Sequence, residues 1–193
     1  MAIDLLPILL TFIIVAIAEF GDKTQIAVIN LSAKHRPRSV FVGAMLAFAL
    51  VVGVTTSIGG AIAPYIRAFW IDLVGGVLFL IFGVYTLFSR EDRTQKIKEH
   101  SKTVTTSFLL LAITELGDKT QLAVITLSAK YAPIQVFLGA MLAFTLLTAL
   151  GVVFGKIISQ YISAHYIKIA SSLIFIVFGV IFIFEALSGA KIF

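Results

Sequence analysis

The chain contains no cysteine, which excludes a disulfide framework and any thiolate-held metal or redox centre. Charge is scarce too: Asp, Glu, Lys and Arg make up 13% of the 193 residues, where soluble chains sit near a quarter. With 60% hydrophobic residues and a mean hydropathy of +1.07, there is too little polar surface to cover a water-facing globule. An ordinary soluble enzyme, a nucleic-acid module and a disordered scaffold are thereby excluded. The pI of about 9.6 does not restore a nucleic-acid role, because the basic residues stand between apolar runs. Histidine is rare, and His35, His100 and His165 all fall in predicted loops, which argues against a Zn²⁺ or Cu⁺ pathway. No prosthetic group is expected. The composition is that of an integral membrane protein.

What is present is a set of long apolar runs. Residues 39–66, 73–89, 131–155 and 169–184 carry no formal charge. A helix needs about 20 apolar residues, with about 17 as a lower limit, to cross a bilayer core of about 30 Å. Two further segments, 5–33 and 104–129, are apolar but interrupted by charged clusters. The reading is an all-α membrane protein with six transmembrane helices: a three-helix unit over 1–89, a charged loop over 90–103, and a second unit over 104–193. The N-terminus lacks Lys and Arg, so the first segment is taken as a true span rather than a signal peptide. Ten Lys and Arg fall on the side holding loops one, three and five, and three on the other. By the positive-inside rule both termini face outside and the central loop is cytoplasmic.

Shifted by 96 residues, the sequence aligns with itself without a gap. Glu19-Phe20-Gly21-Asp22-Lys23-Thr24-Gln25 meets Glu115-Leu116-Gly117-Asp118-Lys119-Thr120-Gln121, and 22 of the 30 positions from 19 to 48 are identical. An odd number of spans per copy forces the second copy into the membrane the other way up. Two inverted three-helix repeats follow, a plan used by secondary transporters with sites near the midplane.

The repeated stretch is also the charged one. An ionised side chain at the bilayer centre costs roughly 2.5–3.5 kcal/mol on insertion scales. Glu19, Asp22, Lys23, Glu115, Asp118 and Lys119 would together cost about 15–20 kcal/mol if each were borne separately. They must pair, protonate or face a wet cavity. Glu19 and Asp22 are i and i+3 and so share a helical face, as do Glu115 and Asp118. A single straight helix over 5–33 would span about 43 Å, too long for the core without strong tilt. Gly21 and Gly117 mark where spans 1 and 4 would most easily kink or unwind, freeing backbone carbonyls. Four carboxylates, the hydroxyls of Thr24 and Thr120 and the carbonyls of Gln25 and Gln121 are hard oxygen ligands, suited to Ca²⁺ or Mn²⁺. Four carboxylates and two lysines leave −2, which one divalent ion or two protons would neutralise. For Lys23 and Lys119 the preferred role is structural, as ion-pair partners of Glu19 and Glu115 on the same helix. Met45 and Met141 recur beside Phe48 and Phe144 and read as packing residues, while Asp72 and Glu185 read as interfacial acids near span ends.

The doubled E-x-G-D-K-T resembles the signature of the GDT family of Ca²⁺/Mn²⁺ transporters, within the lysine-exporter superfamily. The resemblance covers essentially the whole chain. It implies cation/proton antiport exporting manganese or calcium from the cytosol, with Glu19, Asp22, Glu115 and Asp118 as the acidic site positions. Gly21, Lys23 and Thr24, and Gly117, Lys119 and Thr120, fill the remaining motif positions. Short length and tight loops suggest a prokaryotic member in the inner (plasma) membrane. Two rival readings stand beside it: an exporter of another small solute, and an intramembrane metal-dependent lipid phosphatase. Neither the metal preference nor the oligomeric state is legible.

Overall fold

The computed structural model describes residues 5–88, 103–115, 118–161 and 164–189, with side chains at 23, 33–34, 86, 103, 119, 154–168 and 170–171 outside that description. Among the described residues the fold is wholly helical. Eight α-helices follow one another: α1 (Leu6–Glu19), α2 (Lys23–Lys34), α3 (Pro37–Ile62), α4 (Ala68–Phe88), α5 (Thr103–Glu115), α6 (Lys119–Lys130), α7 (Pro133–Tyr161) and α8 (Ala164–Ser188). The charged central loop lies outside the described residues, apart from Thr103 at the start of α5.

Prolines set several of the boundaries. Pro7 and Pro37 stand in the first turns of α1 and α3, and Pro133 opens α7, where a missing N–H costs nothing. Pro64 sits in the single 3-10 turn Ala63–Tyr65 that closes α3. Among the described residues three stretches are long and apolar enough to cross a membrane: Pro37–Tyr65, Ala68–Tyr85 and Pro133–Val153. Leu6–Glu19, Val104–Glu115 of α5 and Ser172–Ser188 of α8 are shorter apolar stretches within the same description. At 1.5 Å per residue α1 is about 21 Å long, less than the bilayer core, and α2 continues where it stops.

The core combines large apolar side chains such as Phe48, Phe79 and Leu111 with small residues at the helix contacts, while rows of aliphatic side chains also face outward. On α3 the buried face is Gly43, Ala44, Ala47, Phe48, Val51, Val52, Thr55, Thr56 and Gly59. Leu46, Leu50 and Val54, four apart, are about half exposed, as are Leu142 and Leu146 on α7. On a water-soluble domain such stripes would drive association; here they suit lipid tails, with small residues at the helix contacts.

Glycines show how closely the two halves interlock. A Cβ on Gly43 would lie 2.6 Å from the Val104 carbonyl oxygen and 2.8 Å from Ser107 Cβ. A Cβ on Gly139, its repeat partner, would lie 2.5 Å from the Ile8 carbonyl oxygen and 2.8 Å from Thr11 Cβ. Thus α3 docks on α5 as α7 docks on α1, each contact crossing from one half to the other. Gly59 near the end of α3 meets α6 at Ser128, and Gly76 of α4 meets α8 at Gly179 in backbone contact. Phe48 and Phe144 stack where α3 crosses α7, Met45 meets Thr145, and Gly53 faces Phe137. As the number rises along α3 it falls along α7, so these two helices run antiparallel through the core.

Candidate cation site at the helix breaks

Both motif helices are broken at the motif. α1 ends at Glu19 and α2 starts at Lys23; α5 ends at Glu115 and α6 starts at Lys119. The break at Phe20–Asp22 turns on Gly21, whose φ of 71° lies in the left-handed region that a side chain would penalise. Its counterpart Gly117 lies outside the described residues. The free Gly21 N–H donates to the Gln25 Oε1, so the glutamine four residues on satisfies a backbone donor that the break releases. The Asp22 N–H donates to the Glu19 carbonyl at 3.2 Å, and the Asp118 N–H to the Glu115 carbonyl at 3.1 Å, so the two motif aspartates make the same backbone bond.

Asp22 and Asp118 thereby sit at the N-terminal ends of α2 and α6, where helix dipoles favour negative charge. Asp118 is the N-cap of α6 but makes no side-chain capping bond. Glu19 and Glu115 close the preceding helices and are 2% and 1% exposed. One carboxylate oxygen each from Glu19, Asp22 and Asp118 lie within 4.8 Å of one another, close enough for one ion to touch all three. The two halves of the chain both contribute. Glu115 stands outside that group of three: its Oε1 accepts a 2.5 Å hydrogen bond from the Thr24 hydroxyl. The Thr120 hydroxyl donates in turn to Glu19 Oε1. Each motif threonine therefore grips the glutamate of the other half, a pairing that sequence spacing does not reveal. Lys23 and Lys119 open α2 and α6, and their ion pairing lies outside the described side chains.

Two cavities flank this cluster. One, a void of about 10 Å³ with room for roughly one water, is bounded by Glu115, Thr120 and Gln121 with the α3 residues Val51, Val52 and Thr55. The other, also of about 10 Å³, is bounded by Glu19, Thr24 and Gln25 with the α7 residues Leu147 and Thr148. Phe48 and Phe144 line both.

A second charged group joins residues that lie far apart in the sequence. Lys130 at the end of α6 pairs with Glu185 on α8 and, at 3.0 Å, with Asp72 on α4, its ammonium 4.1 Å from the Phe182 ring centroid. Glu185 is 4% exposed, so it is a buried partner in an ion triad rather than an interfacial acid. Its three members come from separate helices with no local signal to join them.

The fold and the site together define a helical membrane protein with a bipartite carboxylate cluster. A family profile described as "Divalent cation/proton antiporter GDT1" matches residues 7–94 and, a second time, 103–190. The chain belongs to the GDT1 family. It is similar to "GDT1-like protein C186.05c" of Schizosaccharomyces pombe, at 26% identity over 86% of this chain and 85% of the relative. "GDT1-like protein sll0615" of Synechocystis is 27% identical over 88% and 92%. "Divalent cation/proton antiporter GDT1" of Saccharomyces cerevisiae is 22% identical over 92% and 83%. No solved structure matches the chain.

Proposed function

We propose that this protein is a secondary transporter that exchanges a divalent cation, Mn²⁺ or Ca²⁺, for protons and exports the cation from the cytosol. One observation carries the reading: carboxylates from both halves converge within 4.8 Å at paired helix breaks inside a largely apolar helical protein. Its family and the yeast relative's printed function support it. In this reading the chain crosses the membrane six times as two inverted repeats, α1 with α2 and α5 with α6 each forming one broken span. Both termini face outward in a prokaryotic plasma membrane, and the central loop is cytoplasmic.

The chemistry follows from the residues. Glu19, Asp22 and Asp118 supply hard oxygens to the cation, with Glu115 completing the acidic set. Thr24 and Thr120 hold Glu115 and Glu19 in place across the repeat interface. Once the cation leaves, the clustered carboxylates repel one another in a poorly solvated site, and proton uptake relieves that repulsion. Two protons per divalent ion keep the site's charge constant, which couples the flows.

Sealed proteoliposomes with an imposed pH gradient test the reading. Uptake of Mn²⁺ or Ca²⁺ should require the gradient and be lost in Glu19→Gln and in Asp118→Asn. Cation movement with no counter-movement of protons, or no movement of either ion, would overturn it.

A further inference from the structure

The two cavities on either side of the carboxylate cluster are copies of one another. Adding 96 to Glu19, Thr24, Gln25 and Val28 gives Glu115, Thr120, Gln121 and Val124, and each set lines one cavity. Phe48 and Phe144 are also repeat partners. Their rings stack with centroids 4.1 Å apart and planes inclined by 16°, and they are 1% and 3% exposed. Because both rings line both cavities, the stack is the wall between them.

Helix direction shows which way each cavity runs. The first extends from Phe48 along α3 to Thr55, and the second from Phe144 along α7 to Thr148. α3 and α7 are antiparallel, so the cavities run from the stack toward opposite ends of the bundle. The α6 and α2 linings agree, running from Thr120 to Val124 in one and from Thr24 to Val28 in the other.

We propose that the Phe48–Phe144 stack is the barrier separating two opposed access paths to the carboxylates, and that it is what keeps the exchange from becoming a leak. This rests on the exchanger reading for its consequence but not for its geometry. Two flat apolar rings in contact leave no room for a water wire or a hydrated ion between the cavities. Truncating both rings removes the wall while leaving every carboxylate in place. The stack is thus a positioning element of transport, not a ligand.

The natural absence of cysteine allows a direct test, with single cysteines introduced in the intact chain. Thr55→Cys reports on one cavity and Thr148→Cys on the other. Each would be exposed to a membrane-impermeant maleimide in intact cells and in inside-out vesicles. The expected result is labelling of the two positions from opposite sides, and of each position from both sides once Phe48→Ala and Phe144→Ala are combined. Labelling of both positions from one side, of neither position, or an unchanged pattern without the rings overturns the proposal. In proteoliposomes lacking divalent cation, the double alanine variant should dissipate a pH gradient at least ten-fold faster than wild type. Phe48→Leu with Phe144→Leu, which keeps apolar bulk and guards against misfolding, should stay tight. A tight alanine variant that is folded, as judged by its elution as a single species, also overturns the barrier. Failure of cation uptake in wild type with the labelling pattern intact would instead count against the exchanger reading alone.

Discussion

Replacing Thr24 by valine keeps the branched shape and deletes one hydroxyl, and the structure specifies whose partner is lost. Thr24 donates to Glu115 Oε1 at 2.5 Å, across the interface between halves, and both residues are buried. A hydrogen bond to a charged group contributes about 1.5–3 kcal/mol, so Thr24→Val should lower stability by roughly that amount. This corresponds to about a ten- to 150-fold change in the folding equilibrium. For a chain of this size it is a fall of roughly 3–12 °C in Tm, measured by thermal unfolding in detergent. Thr120→Val should cost a similar amount, because Thr120 donates to Glu19 in the same way. The decisive comparison is the background. With Glu115→Gln already present, Thr24→Val breaks only a neutral bond and its cost should drop to about 1 kcal/mol. With Glu19→Gln present, the cost should be unchanged. The reverse pattern, in which Glu19 and not Glu115 sets the cost of losing Thr24, would refute the cross-pairing and return each threonine to its own half.

Two further predictions concern the frame around the site. Lys130→Met should destabilise by about 3–5 kcal/mol, because it leaves the buried Glu185 and the half-buried Asp72 without their cation, and Glu185→Gln in the same chain should recover most of the loss in a melting experiment. Gly43→Ala and Gly139→Ala should each cost about 1–3 kcal/mol, since a Cβ would press on a backbone carbonyl at 2.6 and 2.5 Å. Gly53→Ala, whose Cβ would meet only Phe137 at 3.8 Å, should instead be neutral or gain up to about 1 kcal/mol of helix propensity in the same assay.

The helical character and the place of the breaks were legible because both follow from local rules. Uncharged runs of 25 or more residues can only be helices in a bilayer, and a glycine beside two acids marks where a helix would stop. Self-alignment likewise exposed the twin motifs, since it compares positions without needing their location in space. What stayed hidden depends on distant residues. Glu19, Asp22 and Asp118 come together because α1, α2 and α6 meet, and spacing within one motif says nothing of the other motif's distance. The same limit explains Thr24 and Thr120, whose hydrogen bonds to the glutamates of the opposite half no spacing within one motif implies. Asp72 and Glu185 were read from their position at span ends, a rule that holds only where no cation waits across the interface. Lys130 was counted as a loop charge, yet it closes that gap.

The duplication is also incomplete in a way that bears on exchange. On the inverted-repeat reading proposed above, identical halves would give the conformations open to either side equal energy, because inverting the protein would interconvert them. Any bias must come from contacts that do not recur under the shift of 96. The site itself recurs: motif, threonine grip, cavity and aromatic ring each have a partner. The Lys130 triad cannot. Lys130 has Lys34 as its counterpart, but Asp72 corresponds to Lys168 and Glu185 to Ser89, so the equivalent place offers no acid. The triad ties α6 to α4 and α8, and α6 carries both Thr120 and the wall of one cavity. One cavity is therefore fastened to the frame by an ion triad for which the repeat supplies no equivalent at the other. Under the exchange reading, that unshared contact is where the two access states acquire unequal energies, while the symmetric core leaves the chemistry of binding the same from either side.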